Sequence, residues 1–476
     1  MAERSHAESV CLLQKAAKRY TAPAQKKWPM HGLTPRRAVA AATLAYAIVF
    51  FVLGAARYAT FHSGADLGLF VQTIASAFHG FHNTVEGTSH FAYHFSPILY
   101  LLAPPLWLTH SPLVLVAAQA IATALVAPPL YAIARRRTSD WNAAALACVA
   151  LLYPPLQGVT FTDFHEVAFV PAAIAALLWA IDARRFGWAA LFAAVVLASK
   201  EDQSTALAFV GVAGAVYFAK RKEHNGTIFS LALFAASIVV FATYFTAIRA
   251  LAGAPGGWVP QHFYEWSGYA RALPWQTQIV GRITYLLEAF APLAFVPLRS
   301  RALSLALPGF AEVLASREPL TYTMGQHYAA VWVPYVLVAF VIAGARLFES
   351  SQRGGRRWTW TAAALCAVVS IAFSPLHVGH FVRVPNARDA ETAVMLRSLP
   401  PTATVGTYDE LYSHLGFDPN ARIGVRSMPE YVVYDQQYAS AAWDGIHLPA
   451  VRHARQQGMY SVVSDHDGIV VLRRTR

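Results

Sequence analysis

Long apolar runs dominate the chain, and the short gaps between them are repeatedly basic: Lys26-Lys27, Arg36-Arg37, Arg135 to Arg137, Arg184-Arg185, Lys220 to Lys222 and Arg353 to Arg357. A backbone immersed in lipid must satisfy its own hydrogen bonds, so such runs are read as membrane helices. Composition supports this, with 56% hydrophobic and only 13% charged residues, against roughly 25% charged in a soluble domain. The formal net charge of +12 does not point to nucleic acid, because basic residues placed between spans are the signature of cytoplasmic loops. Cys11, Cys148 and Cys366 are too scattered for a disulfide framework or a zinc-ligand spacing. Residues 1–35 are polar and basic without an early apolar core, so the first hydrophobic run is expected to be an uncleaved anchor with a cytoplasmic tail before it.

Residues 37–59 form the first expected span and deliver an outer loop over 60–96. Within that loop Asp66 precedes Leu67, Phe70, Val71, Ile74, Ala77 and Phe78, spaced as one helical face. The run is shorter than the ~20 residues a crossing needs, so it is expected to lie along the membrane surface with its apolar face down. A histidine-rich tract follows, with His79, His82, Glu86, His90 and His94. Residues 97–109 are apolar but short and broken by Pro104-Pro105, which suits a juxtamembrane helix that dips in and returns. Reading it this way leaves Arg135 to Arg137 in the cytoplasm.

Alternation then places spans at 112–134, 141–157, 167–183, 187–199, 203–219, 228–251, 277–298, 302–315, 329–345 and 358–374. The result is about eleven crossings, N-terminus inside and C-terminus outside. On this count every strongly basic gap lies inside, while Asp66, His94, Asp163, His165, Lys200, Glu201, Asp202 and His327 all fall outside. After Ser374-Pro375 the sequence changes character: a helical pattern at 387–398 is followed by TVGTY, ARIGV, EYVVYD, YSVVS and GIVVL, the marks of a small α/β unit over 375–476. The fold expected is therefore mainly α, a polytopic membrane domain over 36–374 with a C-terminal extracytoplasmic α/β domain.

Several polar groups have two readings. Asp66 suits a helix N-cap as well as a catalytic base. Asp163-Phe164-His165 suits a cap as well as an oriented proton carrier. Lys200-Glu201-Asp202 lies between apolar runs of about 13 and about 17 residues, at or within the membrane boundary, where ionisable groups are expensive and usually functional. His79, His82 and His90 are expected to be solvated or interfacial. Trp258, Tyr264 and Trp266, in an outer loop with His262, suit an aromatic belt.

The segments ADLGLFVQ, EG…HFSPILYLLAPP, PLYAIARR, LQGVTFTDFHE, SKED, QHY and LPPTATVGTYDEL…EYVVYD…YSVVSDHDGIVVLRR resemble, in order, the bacterial membrane family known as domain of unknown function 2079, over about residues 60–476. That family looks like the GT-C membrane glycosyltransferases, which carry an acidic residue in the first outer loop, juxtamembrane helices and often a C-terminal outer domain. The resemblance implies that Asp66 is the loop acid and Asp163 the second-loop acid. It implies transfer of a sugar from a polyprenyl-phosphate carrier to a glycan, lipid or protein acceptor, in a multi-pass protein of the bacterial inner membrane. Asp66, Asp163 and His165 are the catalytic candidates; His94, Lys200, Glu201, Asp202, His327 and Tyr328 are the substrate-binding ones. A divalent cation shared by Asp163 and Glu201 is left open. The rival readings are a transporter or flippase of a lipid-linked or anionic solute, and a non-catalytic envelope assembly protein.

Overall fold

A computed structural model describes residues 33–254, 256, 263–264, 274–373, 376–438, 440 and 443–475. Most of the basic tail, Trp258, His262, Trp266 and Ser374-Pro375 lie outside the described residues. The first helix, Pro35–Ala59, starts where the Thr34 hydroxyl accepts from the Arg37 N–H and Pro35 fills a position that needs no donor. By length and composition, four helices among the described residues can cross a membrane: Pro35–Ala59, Leu113–Ala134, His224–Leu251 and Val333–Ser350. Asp140–Leu151 and Pro154–Phe161 make a fifth if their 52° bend is counted within one span. The other expected crossings coincide with shorter or more polar helices, among them Val170–Asp182, Phe186–Leu197, Gln203–Lys220 and Trp275–Phe290. The count of about eleven therefore remains a sequence expectation.

Val333–Ser350 is the central strut. It is 72% buried and packs on Ala127–Ala134, Asp140–Leu151, Val170–Asp182 and Gln352–Val368. The expected span at 141–157 is corrected in shape: Pro154 and Pro155 cannot donate to the preceding turn, so the helix breaks at Tyr153 and restarts, continuing to Phe161. Tyr46 fastens this second half to the first helix through a 2.6 Å hydroxyl contact with Thr160. Residues 97–109 are a 3₁₀ turn, Pro97–Leu102, and a short helix, Ala103–Thr109, too short to cross.

All five expected strands form: β1 Val405–Thr407, β2 Ala421–Ile423, β3 Tyr431–Asp435, β4 Tyr460–His466 and β5 Ile469–Arg474. They make one sheet, ordered β2-β1-β3-β5-β4. β1 pairs in parallel with β2 and β3, while β5 is antiparallel to both β3 and β4. The helix Ala387–Arg397 opens on a capping box between Asn386 and Asp389.

The outer-loop helix, Ala65–Ala75, is not a surface helix with its apolar face on lipid. Every residue from Leu67 to Ile74 is buried. Leu67, Phe70, Val71 and Ile74 share one core with Leu99, Leu106, Leu115 and Phe164 on one side and Leu411, Tyr412, Val432 and Val433 of the C-terminal unit on the other. The contact is close at Gly68, where an added Cβ would lie 2.8 Å from the Tyr412 carbonyl oxygen. Polar ties flank it: Gln72 Nε2 donates to the Asp418 carbonyl (2.7 Å), and the Tyr412 hydroxyl donates to Gln72 Oε1 (2.9 Å). The His414 ring stacks against both Tyr58 and Phe61, with centroids 4.0 Å away in each case.

Overpacking a tight contact costs about 1–3 kcal/mol. Gly68→Val is therefore expected to loosen the C-terminal unit while leaving the membrane helices intact. Limited proteolysis of purified protein should release fragments from 387–475 faster than in wild type; identical cleavage would refute the docking described.

Candidate active site

Arg57, near the end of the first helix, is 9% exposed and organises the loop above it. Its guanidinium donates to the carbonyls of His62 (2.7 Å) and Phe161 (2.9 Å) and to Asp163 Oδ2 (3.3 Å). The same Asp163 oxygen accepts from the Gly64 N–H at 2.9 Å. Gly64 is the N-cap position of the Ala65–Ala75 helix and provides no side-chain cap. A Cβ there would come within 2.7 Å of the Asp163 carboxylate, so only glycine lets the loop close on it. Asp66 is thus not the N-cap; it sits in the first turn, where helix polarity favours a negative charge.

Its carboxylate instead faces His165, with Oδ2 3.3 Å from Nε2. His165 is fixed by the Gln119 side chain, whose oxygen accepts the His165 N–H (2.9 Å), and by a 2.9 Å contact of Nδ1 with the Asp163 carbonyl. A carbonyl accepts only, so Nδ1 carries a proton and Nε2 donates to Asp66 once the ring is protonated. Burial acts to lower the His165 pKa, but Asp66 beside it and Glu166 reverse this and raise it. Burial acts to raise the Asp66 carboxyl, and His165, Arg57 and Lys200 together hold it below its usual value. His327 stacks on His165 with ring centroids 3.5 Å apart. Burial, His165 and Lys200 all push its pKa well down, which keeps this second ring neutral.

These groups line a cavity of about 530 Å³, together with Glu86, His90, His94, Glu166, Lys200, Glu201, Asp202, Tyr264, Glu312 and Tyr328. The Lys200-Glu201-Asp202 turn between Phe186–Leu197 and Gln203–Lys220 reaches it as expected, but its members differ in task. Glu201, 1% exposed, accepts from the Phe95 N–H at 2.8 Å and lies 2.9 Å from His94 Nδ1. Burial would raise its pKa, and His94, Lys200 and that N–H instead bring it to about 2. The Lys200 ammonium sits 3.6 Å from Asp202 and 3.9 Å from Glu166, beyond close hydrogen bonding with either. Burial opposes its charge, but Asp202, Glu166 and Glu201 raise its pKa, so it stays protonated.

Eight of the nine residues singled out from the sequence therefore meet: Asp66, His94, His165, Lys200, Glu201, Asp202, His327 and Tyr328 all line this cavity. Asp163 does not. Its carboxylate is taken up behind the wall by Arg57 and Gly64, which makes it a positioning residue. Asp163 and Glu201 hold separate protein partners, Arg57 and Gly64 for the first and His94 and Phe95 for the second. No cluster of three or more His, Cys, Asp or Glu residues suited to a metal occurs among the described residues.

The structure also adds groups. His90, expected to be solvated, is 1% exposed, and its Nδ1 lies 3.0 Å from Glu86; His79 and His82 are exposed, as expected. Glu166 adjoins His165 in sequence. Glu312 is the sole acid of the apolar run 302–315, and an ionisable residue inside such a run is itself a functional signal.

The fold is similar to that of solved GT-C membrane glycosyltransferases. ArnT from Cupriavidus metallidurans bound to undecaprenyl phosphate superposes with a TM-score of 0.57 at 12% identity, over 91% of this chain and 97% of that one. Apo ArnT from the same organism gives 0.54 at 13% identity, over 92% and 98%. The chain belongs to the family described as predicted membrane protein (DUF2079), matched over residues 57–471. No curated protein matches the sequence.

The Asp66–His165 pair has a defined pH window. The lowered Asp66 pKa contributes stability above the unfolded carboxylate value and loses it as pH falls through the folded one. The raised His165 pKa contributes below the unfolded imidazole value and loses it as pH rises through the folded one. A thermal double-mutant cycle with Asp66→Asn and His165→Gln should show a coupling of about 1 kcal/mol or less, since the Asp66 side chain is 49% exposed. The coupling should be present in mildly acidic buffer and vanish in strongly alkaline buffer. Coupling independent of pH would contradict the ion pair.

Proposed function

We propose that the protein is a GT-C-type glycosyltransferase that moves a sugar from a polyprenyl-phosphate carrier to a glycan, lipid or protein acceptor. The reaction would occur at the outer face of a bacterial inner membrane, with the N-terminus cytoplasmic and the C-terminal α/β unit outside. The observation that carries this reading is the presentation of Asp66 on the wall of a polar cavity that a protonated Lys200 also lines. The likeness to a lipid-phosphate-bound ArnT supports it.

The environment of Asp66 refines its role. A general base works best with a pKa near the operating pH, whereas His165 keeps this carboxyl low and ionised. Asp66 therefore acts chiefly by orienting the acceptor hydroxyl and offsetting positive charge at the sugar carbon. As the glycosidic bond to the carrier breaks, negative charge grows on the departing phosphate. Lys200 and protonated His165 are preorganised cations on that wall, and such groups stabilise developing anionic charge. His94 is held in place by Glu201. His327, stacked on His165, and Tyr328 add neutral binding surfaces beside these cations.

A transporter would need ionisable groups along a path to the other end of the bundle. There Arg136 and Arg137 pair with Asp182, and Arg184 with Glu223, which supports chemistry at one face instead. The direct test is lipid and glycan profiling of a deletion strain. A polyprenyl-phosphate sugar should accumulate while one surface glycan loses the corresponding residue. Unchanged lipid-linked sugars together with an unchanged glycan profile would refute the proposal.

A further inference from the structure

A second polar cleft, of about 640 Å³, lies at the other end of the Ala65–Ala75 helix, between the outer loop and the C-terminal unit. Its ionisable lining consists of His79, His82 and Arg422, with no carboxylate among the described lining residues. That contrasts with the first cavity, where acids and bases alternate. Gln72 and Asn83 also line it, but their side chains are engaged with Asp418, Thr84, Thr73 and Glu86. Arg422, on edge strand β2, has a buried Nε with no hydrogen-bond partner. Leaving a charged donor buried and unsatisfied costs more than the usual 1–3 kcal/mol of a neutral one, so an anionic acceptor is the chemistry that fits. A carboxylate or phosphate matches the fork of a guanidinium.

The surroundings define where that anion comes from. Phe78, adjacent to His79 in sequence, is 73% exposed, and Leu101 and Leu108 of the juxtamembrane segment are 70% and 85% exposed. Phe78 packs at a tilt against Trp107, with ring centroids 4.9 Å apart, so these apolar side chains form one protruding edge. In a membrane protein such an edge is embedded in lipid at the interface. The cleft therefore opens at headgroup level.

We propose that His79, His82 and Arg422 form a binding site for the phosphate headgroup of an anionic membrane lipid, whose acyl chains lie along Phe78, Leu101 and Leu108. The site goes beyond the glycosyltransferase reading and does not rest on it. Arg422 supplies the fixed charge and directional donors, while the two exposed imidazoles add donors at the mouth. The site lies against the C-terminal half of the helix whose first turn carries Asp66, so an occupied headgroup also clamps the C-terminal unit onto the outer loop.

Native mass spectrometry of delipidated full-length protein in detergent, titrated with phosphatidylglycerol, provides the test. Phosphatidylcholine, inorganic phosphate and glucuronate serve as comparison ligands. Wild type is expected to take up phosphatidylglycerol at least about tenfold more tightly than phosphatidylcholine, with that preference lost in Arg422→Gln and reduced in His79→Gln and His82→Gln. The two histidines are exposed, so their variants fold even if the arginine variant does not. Equal uptake of both lipids, or an unchanged preference in all three variants, would overturn the site. Competition by inorganic phosphate or glucuronate as effective as by the lipid would overturn the lipid as its source. Because the readout is binding, sugar transfer can fail or succeed independently of it.

Discussion

The ion pair between Arg57 and Asp163 is the constraint on which the site rests. Both side chains are largely buried, 11% and 12% exposed, and their nearest contact is 3.3 Å. Removing one partner of such a pair strands a charge and costs about 3–5 kcal/mol. The pair does more than close a gap between the first helix and the turn after Phe161. Arg57 also donates to the carbonyls of His62 and Phe161, and Asp163 also accepts from the Gly64 N–H. Three chain segments thus meet at one point, and from it two functional groups project: Asp66 from the helix that follows Gly64, and His165 two residues after Asp163. Their separation, 3.3 Å, is set by this junction.

The second constraint is the layering of the outer-loop helix. It is covered by the juxtamembrane segment on one side and by the C-terminal sheet domain on the other. A helix covered on both sides cannot shift without disturbing the packing on each, so Asp66 is carried on a rigid element, which is what precise positioning requires. The C-terminal unit is therefore part of the scaffold of the site although none of the described cavity-lining residues comes from it. Its Tyr412 reaches across to Gln72, six residues beyond the acid, and fixes the helix along its length.

Much of this was legible in the sequence, for identifiable reasons. The five strands were visible because short β-rich runs stood between polar or turn residues. The cavity residues were visible because charges beside membrane-grade sequence are costly and stand out: Lys200, Glu201 and Asp202 could be read that way, and Glu312 could have been by the same rule. What the sequence did not contain was the partner of each group. Asp163 looked as eligible for chemistry as Asp66 until Arg57, 106 positions away, proved to occupy it. The helix at 65–75 displays an apolar face either on lipid or under a domain, and nothing in its periodicity distinguishes the two coverings. His90 looked solvated because its screen, Glu86 from a turn and Phe70 from the helix at 65–75, is brought onto it by packing that the residue pattern does not specify.

The central claim is that the negative charge of Asp66, rather than its shape, is what this scaffold delivers. Asp66→Asn keeps size and hydrogen-bonding capacity while removing the charge. The measurement is sugar transfer from a polyprenyl-phosphate donor by purified wild type and variant, normalised to folded protein with matched melting temperatures. The account predicts a loss of at least about 100-fold, on the scale of losing one preorganised electrostatic group. Transfer by the variant within a few-fold of wild type would contradict it.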